Sequence, residues 1–307
     1  MWRPLGEAFC SKGITMRKSK AFILAVSLVL ILSSCATLKK EERPYYHFQG
    51  MAKDQTIVIT VDALAEKELV ASAFGDLEEF AKRATRVSLS LTPLTDVYPL
   101  EVDALEAYGV VEGDYPRFLL NTGMMYSREL DQKGNAEGLS WFTQKDGDIS
   151  LYAPKKDELL FSNASYERAY GSYSEKLFLI DDETAAHMAN ASIAVYAVEP
   201  NTFFDLGLDL PESAFKQMKE VLLLIYRGDD GRTLDAYITM DSDKLANTLS
   251  QMVRTGYIAR LRKDKISFKI ADLMKMFTIE NDIVMIKQMD LGNEQMELLQ
   301  RSLTGLL

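Results

Sequence analysis

The chain has few of the side chains that usually carry chemistry. Of its 307 residues, two are cysteines (Cys10 and Cys35) and two are histidines (His47 and His187). Both cysteines precede position 36, so the body of the chain has no disulfide and no thiolate metal site. Two histidines are too few for a zinc hydrolase unless carboxylates supply nearly all the ligands. No metal site is therefore expected. His47 has no second ligand near it in sequence and reads as solvated or hydrogen-bonded. His187 lies in the apolar helical stretch Thr184-Ala185-Ala186-His187-Met188-Ala189 and reads as a partly buried, satisfied histidine rather than a base. No Gly-x-Ser-x-Gly elbow, phosphate loop or dinucleotide fingerprint is present. The densest acidic runs are Asp181-Asp182-Glu183, Asp229-Asp230 and Asp241-Ser242-Asp243. None completes a calcium loop. They read as turn and helix-cap chemistry. No catalytic residue and no cofactor are expected, and the chain is not read as an enzyme.

Positive charge is also scarce. Lys and Arg number 35 against 45 Asp and Glu, a net charge of −10. Without residues 1–34 the balance is 30 basic against 44 acidic residues, a formal charge of −14. An acidic body argues against nucleic acid as a partner and against electrostatic docking on anionic lipid. What the chain does have is apolar side chains, at 47%. That is enough for a sizeable core and excludes wholesale disorder.

The basic groups that are present cluster at the start. Met16-Arg17-Lys18-Ser19-Lys20 precedes an apolar run from Ala21 to Leu32, and Ser33, Ser34 and Cys35 follow. A basic segment, a short apolar run and small residues make a secretory signal. The run is shorter than the roughly 20 residues of a membrane span. Leu32-Ser33-Ser34-Cys35 resembles the lipobox of bacterial lipoproteins. The resemblance implies cleavage before Cys35 by a dedicated signal peptidase and acylation of Cys35 (palmitate labelling is its usual assay). Several acyl chains anchor a protein stably where one is marginal. On this reading residues 1–34 are the signal peptide, with 1–15 lying before a better start at Met16. Ala36 in place of Asp favours the outer membrane over the inner one, by analogy with Gram-negative sorting. The expected location is the cell envelope, facing the periplasm or the outside.

The body reads as α+β. Residues 35–55 form a lipidated tether that ends in the aromatic patch Tyr45-Tyr46-His47-Phe48. Residues 56–162 give a first unit. It has a β-branched strand at 56–61, a helix at 76–85, an alternating strand at 86–94 and its neighbour at 98–108. A helix from 113 to about 130 follows, with Phe118, Leu119, Met125 and Leu130 on its apolar side, then a hairpin over 141–152 and a strand at 157–161. Residues 163–191 form a helical connector in which Tyr166, Tyr170, Tyr173 and Phe178 cluster. Residues 192–307 give a second unit of similar order, including a helix from Asp241 or Ser242 to about Arg262. The shared run Leu-x-Asn-Thr at 119–122 and 245–248 suggests an internal repeat of two ferredoxin-like, split β-α-β units with antiparallel sheets and flanking helices. The terminal helix, 293–303, places Met296, Leu299 and Leu303 on one face, a candidate membrane contact.

These readings point to a lipid-anchored envelope protein with a non-catalytic binding or assembly role. Its partners would be the bilayer, through acylated Cys35, and an unidentified envelope protein. Three other readings are open. A membrane-inserting lipoprotein would alter permeability through amphipathic helices. A carrier would hold an apolar ligand between the units. A hydrolase would need converging carboxylates in a cleft.

Overall fold

The computed structural model describes residues 44–74, 81–101, 104–203, 211–229, 231–292, 295, 297 and 298. Residues Tyr45–Leu307 form one compact unit. A 3-10 turn at His47–Gly50 leads into β1 (Ile57–Asp62), α1 (Lys67–Phe74), β2 (Ala84–Pro93), β3 (Leu105–Gly113) and α2 (Arg117–Tyr126). Next come β4 (Leu130–Gly134), β5 (Ser140–Gln144), β6 (Ser150–Tyr152), β7 (Glu158–Ser162), α3 (Tyr166–Ser174) and α4 (Asp182–Asn190). The chain continues with β8 (Ile193–Val198), α5 (Glu212–Phe215), β9 (Met218–Gly228), β10 (Gly231–Met240), α6 (Asp243–Lys263), α7 (Ile270–Met276), β11 (Phe277–Glu280) and β12 (Ile283–Leu291).

All twelve strands join one sheet in the order β11-β12-β10-β9-β8-β1-β2-β3-β7-β6-β5-β4. Read outward from the β8–β1 pair, the order is mirrored: β8, β9, β10 on one side and β1, β2, β3 on the other. A split β-α-β unit would run its two strands parallel, with a third strand between them. Here β1 lies between β2 and β8, antiparallel to both, and β9 pairs antiparallel with β8 and β10. The fold is thus α+β with one large antiparallel sheet, without the ferredoxin-like arrangement. The physical reason is that short turns make hairpins such as β9–β10, and α1 sits in a connection between antiparallel neighbours, so it creates no crossover.

The central strands are apolar on both sides, as a sheet covered on both faces requires. Ile57, Ile59 and Val61 of β1 point into the larger core with Leu89, Val195, Leu223 and Ile238, under α1, α2 and α6. Val58, Ala194, Tyr196 and Leu224 point the other way, into a second core closed by Phe48, Tyr166, Ile180 and Met188. The connector helices and the entering 3-10 turn therefore cover one face of the sheet together. Gly109 shows how tightly neighbouring strands pack: a Cβ there would come within 2.6 Å of the ring of Phe161, its direct partner on β7.

Several sequence expectations land well. Ser242 caps α6 and accepts a hydrogen bond from the Leu245 amide. Asp181 caps α4 by accepting from the Glu183 and Thr184 amides. Others shift. Half of the helix expected over 76–85 lies outside the described residues, and Ala84 and Thr85 belong to β2. The helix expected to reach 130 stops at Tyr126, and Leu130 begins β4.

Candidate functional site

Helix α2 is held by its polar side. Asn121 Nδ2 donates to the Ala153 carbonyl at 3.0 Å, and its Oδ1 accepts from the Ala153 amide at 3.0 Å. Arg117 Nε donates to the same carbonyl at 3.3 Å. Met124 is buried beside them and Leu120 packs on the main core. Residues 118, 119, 122, 125 and 126 then share the opposite side, because positions three, four and seven apart align on a helix. That side is apolar and bare: Phe118 is 77% exposed, Leu119 66%, Met125 51% and Tyr126 77%. The spacing was legible in the sequence, but not which way the apolar side turns. Phe118, Leu119 and Met125 face solvent and not the core.

A smaller patch of the same kind lies at the far edge of the sheet. On α7, Leu273 is buried while Ile270 and Met274, one turn apart, are 74% and 52% exposed. Between the end of α6 and α7 lies an open cavity of about 310 Å³ lined by Tyr257, Leu261, Ile266, Phe268, Leu273 and Met276. It belongs to the second half of the chain, not to the boundary between halves where a carrier pocket was expected. Among the described residues no helix is long and apolar enough to cross a membrane.

The entering turn brings a polar cluster together. Glu112 of β3 and Glu158 of β7 stand directly opposite each other. His47 Nε2 lies 3.0 Å from Glu158 Oε1, and Lys155 Nζ lies 2.8 Å from the same oxygen. Tyr173 donates its hydroxyl to Glu158 Oε2 at 2.7 Å. Burial alone would raise the Glu158 carboxyl, but the bonds from His47, Lys155 and Tyr173 hold it down at about 2. The Tyr173 hydroxyl is pushed up by burial and by that same bond. Glu112 shifts the other way, raised by burial first and by Glu158 as well. The imidazole of His47 stacks on the Tyr173 ring, with centroids 5.4 Å apart and planes 15° from parallel. Sequence reasoning missed this constellation because its members are 65 and 46 positions apart and only the β3–β7 register unites them. The other histidine, His187, is exposed on α4 and not partly buried.

The expected tyrosine cluster is packing. Tyr166 is buried and stacks on Trp141 with centroids 5.5 Å apart, and Phe178 meets Tyr45 edge-on. A cavity of about 170 Å³ beside α3 is lined by Thr56, Ser90, Tyr108, Ser162, Arg168 and Ser172, among others. Burial raises the Tyr108 hydroxyl to about 12. Three of the lining hydroxyls serve the protein itself: Thr56 donates to the Lys53 carbonyl, Ser90 to that of Met51 and Ser162 to that of Ala107.

The residues singled out from sequence for the membrane, Leu32, Ser33, Ser34 and Cys35 at one end and Met296, Leu299 and Leu303 at the other, lie outside the described residues. No protein-family model and no curated protein matches the sequence. The fold, however, is similar to that of TP0453. Its crystal form I superposes with a TM-score of 0.58, covering 84% of this chain and 98% of that one at 8% identity. Crystal form III gives a TM-score of 0.54, covering 83% and 97% at 8% identity, and crystal form IV gives 0.53, covering 84% and 97% at 9% identity. At these identities the likeness is one of fold.

Proposed function

We propose that this chain is a cell-envelope lipoprotein, acylated at Cys35, whose body has a non-catalytic binding or assembly role. The observation that carries this reading is the bare apolar side of α2, held in place by Asn121 on a fold similar to that of TP0453. An apolar surface of this kind marks a contact with a protein or a membrane. Ten peptide steps separate Cys35 from Tyr45, so the start of the body stands at most roughly 35 Å from an acyl group at Cys35. The absence of Asp at position 36 favours the outer membrane. Labelling cells with radioactive palmitate tests the anchor: the chain takes up label and Cys35→Ser does not. Unchanged labelling of Cys35→Ser contradicts it.

The second reading is membrane insertion with altered permeability. It is favoured by the aromatic and thioether side chains on α2, since an apolar helix face lies readily in the headgroup boundary. Flotation of residues 36–307, made without lipid, separates the two. Floating with pure lipid vesicles supports insertion through the body itself. Remaining with the soluble fraction leaves the acyl chains as the membrane attachment and the α2 face for a protein partner.

A further inference from the structure

Glu112 and Glu158 hold like charges at directly opposed positions of neighbouring strands. Such a pair destabilises a sheet. Lys155 relieves one side of it at 2.8 Å, yet among the described residues no hydrogen bond reaches the Glu112 carboxylate. A buried imidazole is aimed at the same spot: His47 is 8% exposed, with Nε2 3.0 Å from Glu158 Oε1. One ligand atom from each of His47, Glu112 and Glu158 lies within 4.8 Å of the other two. We propose that these three residues form a divalent-metal site, of the zinc class, that fastens the turn at His47–Gly50 to β3 and β7.

The donor set suits that class. One imidazole nitrogen with two carboxylates fits zinc and its first-row neighbours, whereas calcium and magnesium favour all-oxygen shells. The charge also closes, because two carboxylates neutralise one divalent ion. Lys155 need not stay, since its side chain is 51% exposed and its ammonium can move into water as the cation takes its place on Oε1. The outer support is already built. Tyr173 holds Glu158 Oε2 by a hydrogen bond and holds the His47 ring by stacking, the kind of contact that orients metal ligands. Binding thus requires little rearrangement. The consequence is mechanical: the segment that leads to Cys35 would be clamped to the sheet when the ion is bound. The site stands apart from the α2 face and does not depend on its role.

Zinc titration against a competing chromophoric chelator tests the site. The protein is the detergent-solubilised full chain with Cys10→Ser and Cys35→Ser, so that no thiol competes. One zinc per chain is expected. Affinity should fall at least about tenfold in Glu112→Gln and in His47→Gln and stay unchanged in His187→Gln. Glu112→Gln removes a repulsion, so in EDTA it should melt at or above the parent temperature. Added zinc should raise the melting temperature of the parent and not of that variant. Absence of zinc binding, or binding by Glu112→Gln as tight as the parent's, overturns the site.

Discussion

Helices α2 and α6 follow the third strand of their respective halves in a mirrored strand order, yet they treat water oppositely. Helix α6 buries Leu249, Val253, Tyr257 and Leu261 on the sheet and turns Asn247, Thr248, Gln251 and Thr255 outward. That is the ordinary division of an amphipathic helix. Helix α2 buries little beyond Met124 and turns Phe118, Leu119, Met125 and Tyr126 outward. The asparagine shared by the two helices shows the same divergence. Asn121 bonds both the amide and the carbonyl of Ala153 across 32 residues. Asn247 only donates to the Asp243 carbonyl one turn back, at 2.8 Å. The first helix is thus tied down by polar contacts, which leaves its apolar side exposed. The second spends its apolar side on the fold.

The strongest break in this comparison is a core deletion. Leu249→Ala on α6 should lower stability by about 2–5 kcal/mol through the cavity it leaves. Phe118→Ala on α2 should stay within about 0.5 kcal/mol, because no packed neighbour is lost. Denaturant unfolding of both variants checks the pair. The asparagines come next. Asn121→Ala leaves the Ala153 amide and carbonyl without that partner and should lower stability by about 1–3 kcal/mol, whereas Asn247→Ala should stay within about 0.5 kcal/mol.

The smallest effect sets a scale on the opposite face of the sheet. Asp181→Ala removes the cap of α4, an effect of about 1 kcal/mol. Bonds from the Thr184 and Glu183 amides hold the Asp181 carboxyl below its ordinary range. A carboxyl lowered by folding stabilises most above its unfolded value, roughly pH 4, and loses that contribution as pH falls through the lower folded value. The difference between parent and Asp181→Ala should therefore vanish in acid. Melting curves from neutral to acid pH check it, and a difference that grows on acidification contradicts the cap.

How far the sequence could be read follows from the same contacts. The caps at Asp181 and Ser242, the connector helices and the β9–β10 turn were legible because local hydrogen bonding decides them. The sheet order was not, because strand pairing is set by long-range register, and a repeated order of elements fits more than one pairing. The orientation of α2 was not legible for a related reason. Periodicity shows that an apolar stripe exists, but not whether the chain supplies its partner. The cluster at His47 was invisible until β3 met β7. Cys35, by contrast, is read from a local motif alone and lies outside the described residues.

The claim that α2 carries the working surface can be tested with one reporter. Residues 36–307 contain no cysteine, so a single introduced thiol can carry an environment-sensitive fluorophore. The label would be placed on α2 by Phe118→Cys and on α6 by Thr248→Cys, and each protein mixed with envelope membranes and with pure lipid vesicles. The account predicts a blue shift for the α2 label with envelope membranes and none for the α6 label. A shift with pure vesicles as well would identify the bilayer as the surface α2 meets. If the α2 label stays unshifted in both mixtures, or both labels shift alike, the α2 face is not the contact surface and the central claim fails.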